Sequence, residues 1–187
     1  MIPIRNRKKT LKVTVEEMRN FALAYVEKYA PSKQQLKTYL LKKYLKTSVP
    51  NVKKKDVNDL IDIVLSNLEK NRFINDKFYS DSKAKSMIQR GNSINKIRNY
   101  LIGKGINNEL IKDTVNKIQD ENSDQDFFSA IKICKKKRIG PARVEDNRPL
   151  FYKKDISLLA RNGFDFQTSK KVMELEKDDY LKIIKLL

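Results

Sequence analysis

Two stretches of this chain repeat each other in outline. Ser32-x-x-x-Leu36-Lys37-x-Tyr39-Leu40 is matched by Ser93-x-x-x-Ile97-Arg98-x-Tyr100-Leu101, 61 residues later. Leu101-x-x-x-Gly105-Ile106 is matched in turn by Leu159-x-x-x-Gly163-Phe164, 58 residues later. Both offsets are close to a third of the 187-residue chain. A cap, a cation and an aromatic at these spacings belong to a helix. Two linked matches at a near-constant period argue for tandem helical modules. Gly105 and Gly163 each follow a helix, where a left-handed residue closes the last turn and the next apolar side chain packs back.

The stripes between the repeats agree. Thr14 with Glu17 has the spacing of a capping box, and Val15, Met18, Phe21, Ala22, Tyr25, Val26 and Tyr29 then recur at helical period up to Ala30-Pro31. Ser32 with Gln35 makes a second box, ahead of Leu36, Tyr39, Leu40 and Tyr44. After a turn around Pro50, Asp56 is the expected cap of a third helix with Val57, Leu60, Ile61, Val64, Leu65 and Leu68 inward. Further helices are expected from Asn75-Asp76, Ser93, Asn107 and Asp124, then over 150–161 and from Thr168 to about Leu175. No stretch alternates with period two for long enough to make a sheet. The reading is all-α: three tandem three-helix modules, about nine helices, in an elongated, curved arrangement. A basic flexible arm (1–14) precedes modules over 15–72, 73–122 and 123–187.

Composition narrows the function. Forty-one Lys+Arg against 23 Asp+Glu leave a formal charge of +18, with no His, no Trp and one Cys. Without His there is no imidazole general base and no Cys/His zinc site. One Cys makes no internal disulfide, which suits a reducing cytosol. The longest apolar run, Phe21 to Val26, is far below a membrane span, and no apolar stretch follows the basic start of the chain. These features describe a cytoplasmic binder, not an enzyme, with no membrane partner. The positive charge is also segregated: residues 28–55 hold nine Lys and no acid, and residues 1–15, 82–108 and 127–144 are likewise free of acids. Basic regions of this kind attract polyanions.

Gly103-Lys104-Gly105 lacks the earlier glycine and the hydroxyl residue of a phosphate loop, and it ends a helix. Asp59 with Asp62, and Asp120 with Asp124, share helical faces but have no further acid or Lys at nuclease spacing, so they read as solvated. Cys134 falls on an apolar stripe and reads as a small buried hydrophobe. Most of the eight Tyr and eight Phe occupy stripe positions, which favours core packing over base stacking, although Tyr39 and Tyr100 each follow a cation by two residues. No metal, cofactor or catalytic constellation is visible. The strongest signal is Lys135-Lys136-Lys137-Arg138-Ile139-Gly140-Pro141-Ala142-Arg143, which runs across a Gly-Pro break and holds two guanidiniums suited to phosphate or carboxylate.

In order and spacing, several segments resemble the RecX family, bacterial regulators of the RecA recombinase. Ser32-Lys33-Gln34-Gln35-Leu36-Lys37 resembles its Ser-x-x-Glu-Leu-Arg element, and Phe73-Ile74-Asn75-Asp76-Lys77-Phe78 its Leu-Ile/Leu-Asp-Asp-x-x-Phe segment. Ile97 to Ile106 is similar to its Ile-x-x-x-Leu-x-x-x-Gly-Ile run, and Leu159-Ala160-Arg161-Asn162-Gly163-Phe164 to its closing Leu-x-x-Arg-Gly-Phe. Ala130 with Arg138-Ile139-Gly140-Pro141 and Arg143 resembles a third-module segment of some members. Gln35, Asn75 and Asn162 depart from the family's usual acid, aspartate and arginine, and Gly91-Asn92-Ser93 lacks its customary proline.

The resemblance implies a monomer that binds in the groove of a RecA filament on single- or double-stranded DNA and suppresses ATP hydrolysis, filament growth and strand exchange. The candidate contacts are Lys37, Arg98, Lys104, Arg138, Arg143 and Arg161, with Lys135, Lys136 and Lys137 as supporting charge. The alternative is a general nucleic-acid binder, RNA-binding or nucleoid-associated. Phosphate attraction by itself does not separate the two.

Overall fold

The computed structural model describes residues 11–46 and 53–187; most of the expected arm and the turn around Pro50 lie outside them. The described residues form ten α-helices and no strand. Two compact units divide the chain, the first ending at Tyr79 and the second running Ser80–Leu187.

In the first unit, α1 (Val15–Tyr29), α2 (Lys33–Lys46) and α3 (Lys54–Lys70) pack around Met18, Ala22, Leu36, Leu40, Tyr44, Ile61, Val64, Leu65 and Leu68. Leu11 and Val13 also pack against this core, so the expected flexible arm does not extend to residue 14. Thr14 accepts the Glu17 N–H (3.3 Å), and Ser32 and Gln35 form a reciprocal box, each side chain accepting the other's N–H at 3.2 and 3.1 Å. Asp56 does not cap α3. The helix begins at Lys54, leaving Asp56 in its first turn, where a carboxylate favours the positive end of the dipole.

Helix α4 (Asp76–Gln89) starts in the first unit and continues in the second. There α5 (Ile94–Gly103) and α6 (Asn108–Glu121) bury Ile97, Leu101, Ile111, Val115 and Ile118. α7 (Gln125–Lys137), α8 (Arg148–Arg161), α9 (Phe166–Met173) and α10 (Lys177–Leu186) surround Ala130, Ile131, Cys134, Leu159, Val172 and Tyr180, with 3-10 turns at Gly140–Ala142 and Glu145–Asn147 between α7 and α8. Asp165, not Thr168, opens α9: its carboxylate accepts the Thr168 N–H at 2.7 Å, a bond that holds the group below the usual carboxylate range. α10 is additional to the expected set, separated from α9 where Glu176 turns extended.

The repeat shows in how helices begin and end. Ser93 accepts the Lys96 N–H (3.1 Å) as Ser32 accepts that of Gln35. The first amide of α2 (Lys33 N–H) donates to Asp76 at 2.8 Å, and the first amide of α5 (Ile94 N–H) donates to Asp126 at 2.7 Å. In both pairs, the acid in the opening turn of a later helix caps an earlier one. Leu101 and Leu159 carbonyls accept the N–H groups of Ile106 and Phe164 at 3.2 and 3.3 Å across left-handed Gly105 and Gly163, the expected closures.

Gly163 is constrained twice. Its φ is +89°, and a Cβ there would lie 2.5 Å from Ser93 Oγ and 3.3 Å from the Lys96 nitrogen. Ser93 Oγ donates to the Asn162 carbonyl at 2.8 Å while capping α5, so displacing it breaks both bonds. Gly163→Ala should therefore destabilise the protein by about 2–3 kcal/mol, combining left-handed strain with cap loss. Urea unfolding measures it. Gly103→Ala, with nothing within 4 Å of its Cβ, should cost nothing.

Candidate polyanion-binding surface

The basic run ends α7. Lys135, Lys136 and Lys137 form its last turn, all exposed, where cations offset the negative end of the helix dipole. Arg138 follows in the left-handed region (φ +54°), and the Ile139 N–H returns to the Cys134 carbonyl at 3.1 Å. Arg138 thus stands at the place glycine holds after α5 and α8, at a cost of about 1–2 kcal/mol in backbone conformation. Its side chain is exposed, with no ion-pair partner among the described residues. Cys134 is fully buried, and burial together with the nearby Asp155 carboxylate pushes its thiol up to about 12, which makes it an inert packing group.

Beside this helix end lies an open groove of about 600 Å³, lined by Gln89, Arg90, Lys132, Lys135, Lys136, Ile184 and Leu187. Four cations border it, no acidic side chain lines it, and its apolar residues come from the end of α10 and beyond. Arg90 and Lys132 were not among the sequence candidates. Arg90 stands alone in sequence, and Lys132 precedes the run by three residues.

Arg143 serves a different purpose from the one its sequence context suggests. Its Nε donates to Asp155 Oδ2 at 2.6 Å and its Nη2 to Asp155 Oδ1 at 2.9 Å, while the Gly140 N–H donates to Oδ2 at 2.9 Å. Asp155 is 1% exposed. Burial would raise its pKa, but the hydrogen bonds from Arg143 and Gly140, with nearby positive charge, outweigh burial and hold the carboxyl below its ordinary value. Arg143 also lies over the Phe151 ring, 4.4 Å from its centroid. The two guanidiniums flanking Gly140-Pro141 are therefore not presented together: Arg143 holds the turn, and Arg138 faces out. Arg148, also missed, donates from Nη2 to the Met173 and Leu175 carbonyls, both at 2.7 Å, and satisfies the end of α9.

The remaining candidates are dispersed. Lys37 is half-buried and pairs with Asp62 (Nζ–Oδ1 2.6 Å), so Asp62 is not merely solvated. Arg98 and Arg161 are exposed on α5 and at the end of α8, with no ion-pair partner among the described residues. Lys104 caps α5 and lies 5.2 Å from the Tyr100 ring centroid. No group of three or more potential metal ligands occurs among the described residues, and no described helix is long and apolar enough to cross a membrane.

Fold and surface define an all-helical protein with a cationic groove beside the end of α7. It is 32% identical over 177 residues to the regulatory protein RecX of Myxococcus xanthus (strain DK1622), covering 91% of each chain. It is also 32% identical over 136 residues to RecX of Lactococcus lactis subsp. cremoris (strain MG1363), covering 66% of this chain and 47% of that one. The chain belongs to the RecX family. Two solved structures share the fold. The crystal structure of a regulatory protein RecX matches with TM-score 0.60 at 19% identity, over 86% of this chain and 74% of the other. RecX from Lactobacillus salivarius matches with TM-score 0.59 at 17% identity, over 92% and 97%. No protein-family model matches the chain.

Proposed function

We propose that this chain modulates the RecA recombinase by binding the RecA–DNA filament, lowering ATP hydrolysis, filament growth and strand exchange without chemistry of its own. Membership of a family whose members are named regulatory proteins supports the regulatory role. The observation that carries the binding surface is the groove bordered by Arg90, Lys132, Lys135 and Lys136 with no Asp or Glu side chain in its lining, continued by exposed Lys137 and Arg138. Arrays of this kind suit phosphates or the carboxylates of a protein partner, because unpaired cations gain from either. In this reading the protein is a cytoplasmic monomer of three modules, and Lys37, Arg98, Lys104 and Arg161 add contacts outside the groove.

The test is RecA's DNA-dependent ATP hydrolysis with and without the protein. Turnover should fall at near-stoichiometric protein, and the protein itself should hydrolyse nothing. Unchanged turnover and filament length at saturating protein would favour a general nucleic-acid binder.

A further inference from the structure

At the edge of its core the first unit carries a group of aromatic rings, of which Phe21, Tyr25 and Tyr39 pack against the core and Tyr29 is exposed. The Tyr25 and Tyr39 rings stack with centroids 4.0 Å apart and planes 14° from parallel. Tyr29 lies 4.7 Å from Tyr25 with its ring tilted 45° to it, and is 54% exposed, so the group of rings reaches solvent at Tyr29. Ammonium groups flank the rings: Lys28 lies 5.2 Å from the Tyr29 ring centroid, and Lys43 lies 3.7 Å from that of Phe21 and 5.8 Å from that of Tyr39.

The sign of the charge around these rings is consistent. α2 contains no acid, and at about 100° per residue Lys42, Lys43 and Lys46 fall within about 60° of Tyr39 on that helix. On α1, the same spacing puts Glu16 and Glu27 opposite Tyr25, while Glu17, on the ring side, is half-buried two turns away. The ring–ammonium pair also recurs at the repeat period. Tyr39 with Lys43 on α2 corresponds to Tyr100 with Lys104 at α5, both spaced by four residues. Phe21, Tyr25 and Tyr39 serve the core, whereas Tyr29 leaves more than half of its surface in solvent beside Lys28.

From this arrangement we infer that the α1–α2 face is a stacking platform for unpaired bases of a single-stranded nucleic acid. A nucleobase offers Tyr29 a flat π-face, and the phosphates on either side of that base meet Lys28, Lys42, Lys43 and Lys46. Stacking tolerates any base, so the platform senses single-strandedness without reading sequence. The inference goes beyond filament binding and requires no recombinase.

The experiment compares the full chain's affinity for an oligothymidine with that for an abasic strand of equal length and phosphate number, free of other protein. The abasic strand should bind about tenfold more weakly, the lower range of one stacked base. Tyr29→Ala should lose the same factor on oligothymidine and nothing on the abasic strand, and Tyr29→Phe should keep wild-type discrimination. Equal binding of the two strands by the unmodified protein overturns the platform, as does absence of binding to both. Discrimination that survives in folded Tyr29→Ala overturns it too. RecA inhibition persisting in any of these cases would leave the regulatory reading intact, so the two fail separately.

Discussion

Asp155→Ala should destabilise the second unit by about 3–5 kcal/mol, the range for removing one partner of a buried ion pair. The loss has three parts. Arg143 keeps a half-buried guanidinium without its carboxylate, the Gly140 N–H loses its acceptor, and the turn between α7 and α8 loses the group that ties it to α8. That turn cannot readily relax: Gly140 has φ +54°, and a Cβ there would lie 2.5 Å from Met173 Sδ. Replacing both partners, Arg143→Met with Asp155→Leu, should cost less than Asp155→Ala, since no buried charge is then left unpaired. Chemical denaturation of the three variants measures the difference.

The pair also predicts a pH dependence. Asp155 has a lowered pKa in the folded state, so its contribution is complete above the unfolded carboxyl value of about 4 and is lost as pH falls through the lower folded value. The stability gap between wild type and Asp155→Ala should therefore be constant near neutrality and shrink below about pH 4. The comparison with the variant matters. Asp76 and Asp126 are shifted the opposite way, raised chiefly by burial, and they would mask the effect in wild type alone.

The second large effect concerns binding. Reversing Lys135, Lys136 and Arg138 to Glu should weaken association with the RecA–DNA filament about a hundredfold or more, since three attractions of about 1 kcal/mol each are replaced by repulsion. The salt dependence of free-DNA binding should become shallower by about 0.9 in log–log slope for each phosphate that is no longer neutralised. Glutamates in the last turn of α7 also oppose its dipole, by about 0.3–1 kcal/mol each, so helix content and unfolding midpoint must be read alongside. Arg138→Gly separates the two effects: it removes a charge yet suits the left-handed backbone, so it should stabilise the fold while reducing binding. Asp59→Lys is a sound control on the outer face of α3. Asp62→Lys is not, because Asp62 holds Lys37. Full inhibition by the folded triple reversal would place the interface elsewhere.

What was legible in the sequence was local. Capping by Ser32, Ser93 and Asn107, the stripes that bury Leu36, Leu40, Ile97 and Leu101, and the left-handed glycines at 105 and 163 each depend on residues within about four positions. The segregation of charge is equally a property of the chain, as is the likeness that places it among RecX proteins. The four-residue spacing of Tyr39 with Lys43 and Tyr100 with Lys104 was readable too, although which rings end in solvent was not.

The tertiary structure alone decided which charges are available. Arg143 and Arg138 look equivalent in the run, but Asp155, twelve residues beyond Arg143 on another helix, takes the first and leaves the second. Lys37 meets Asp62 across 25 residues, and Arg148 reaches carbonyls 25 and 27 residues away. Arg90 joins Lys132, Lys135 and Lys136 only because the end of α4 comes beside α7. Helix periodicity carries a side chain's direction around its own axis. Whether that direction meets a carboxylate, a carbonyl or water depends on how separate helices pack, and no spacing within one helix encodes that.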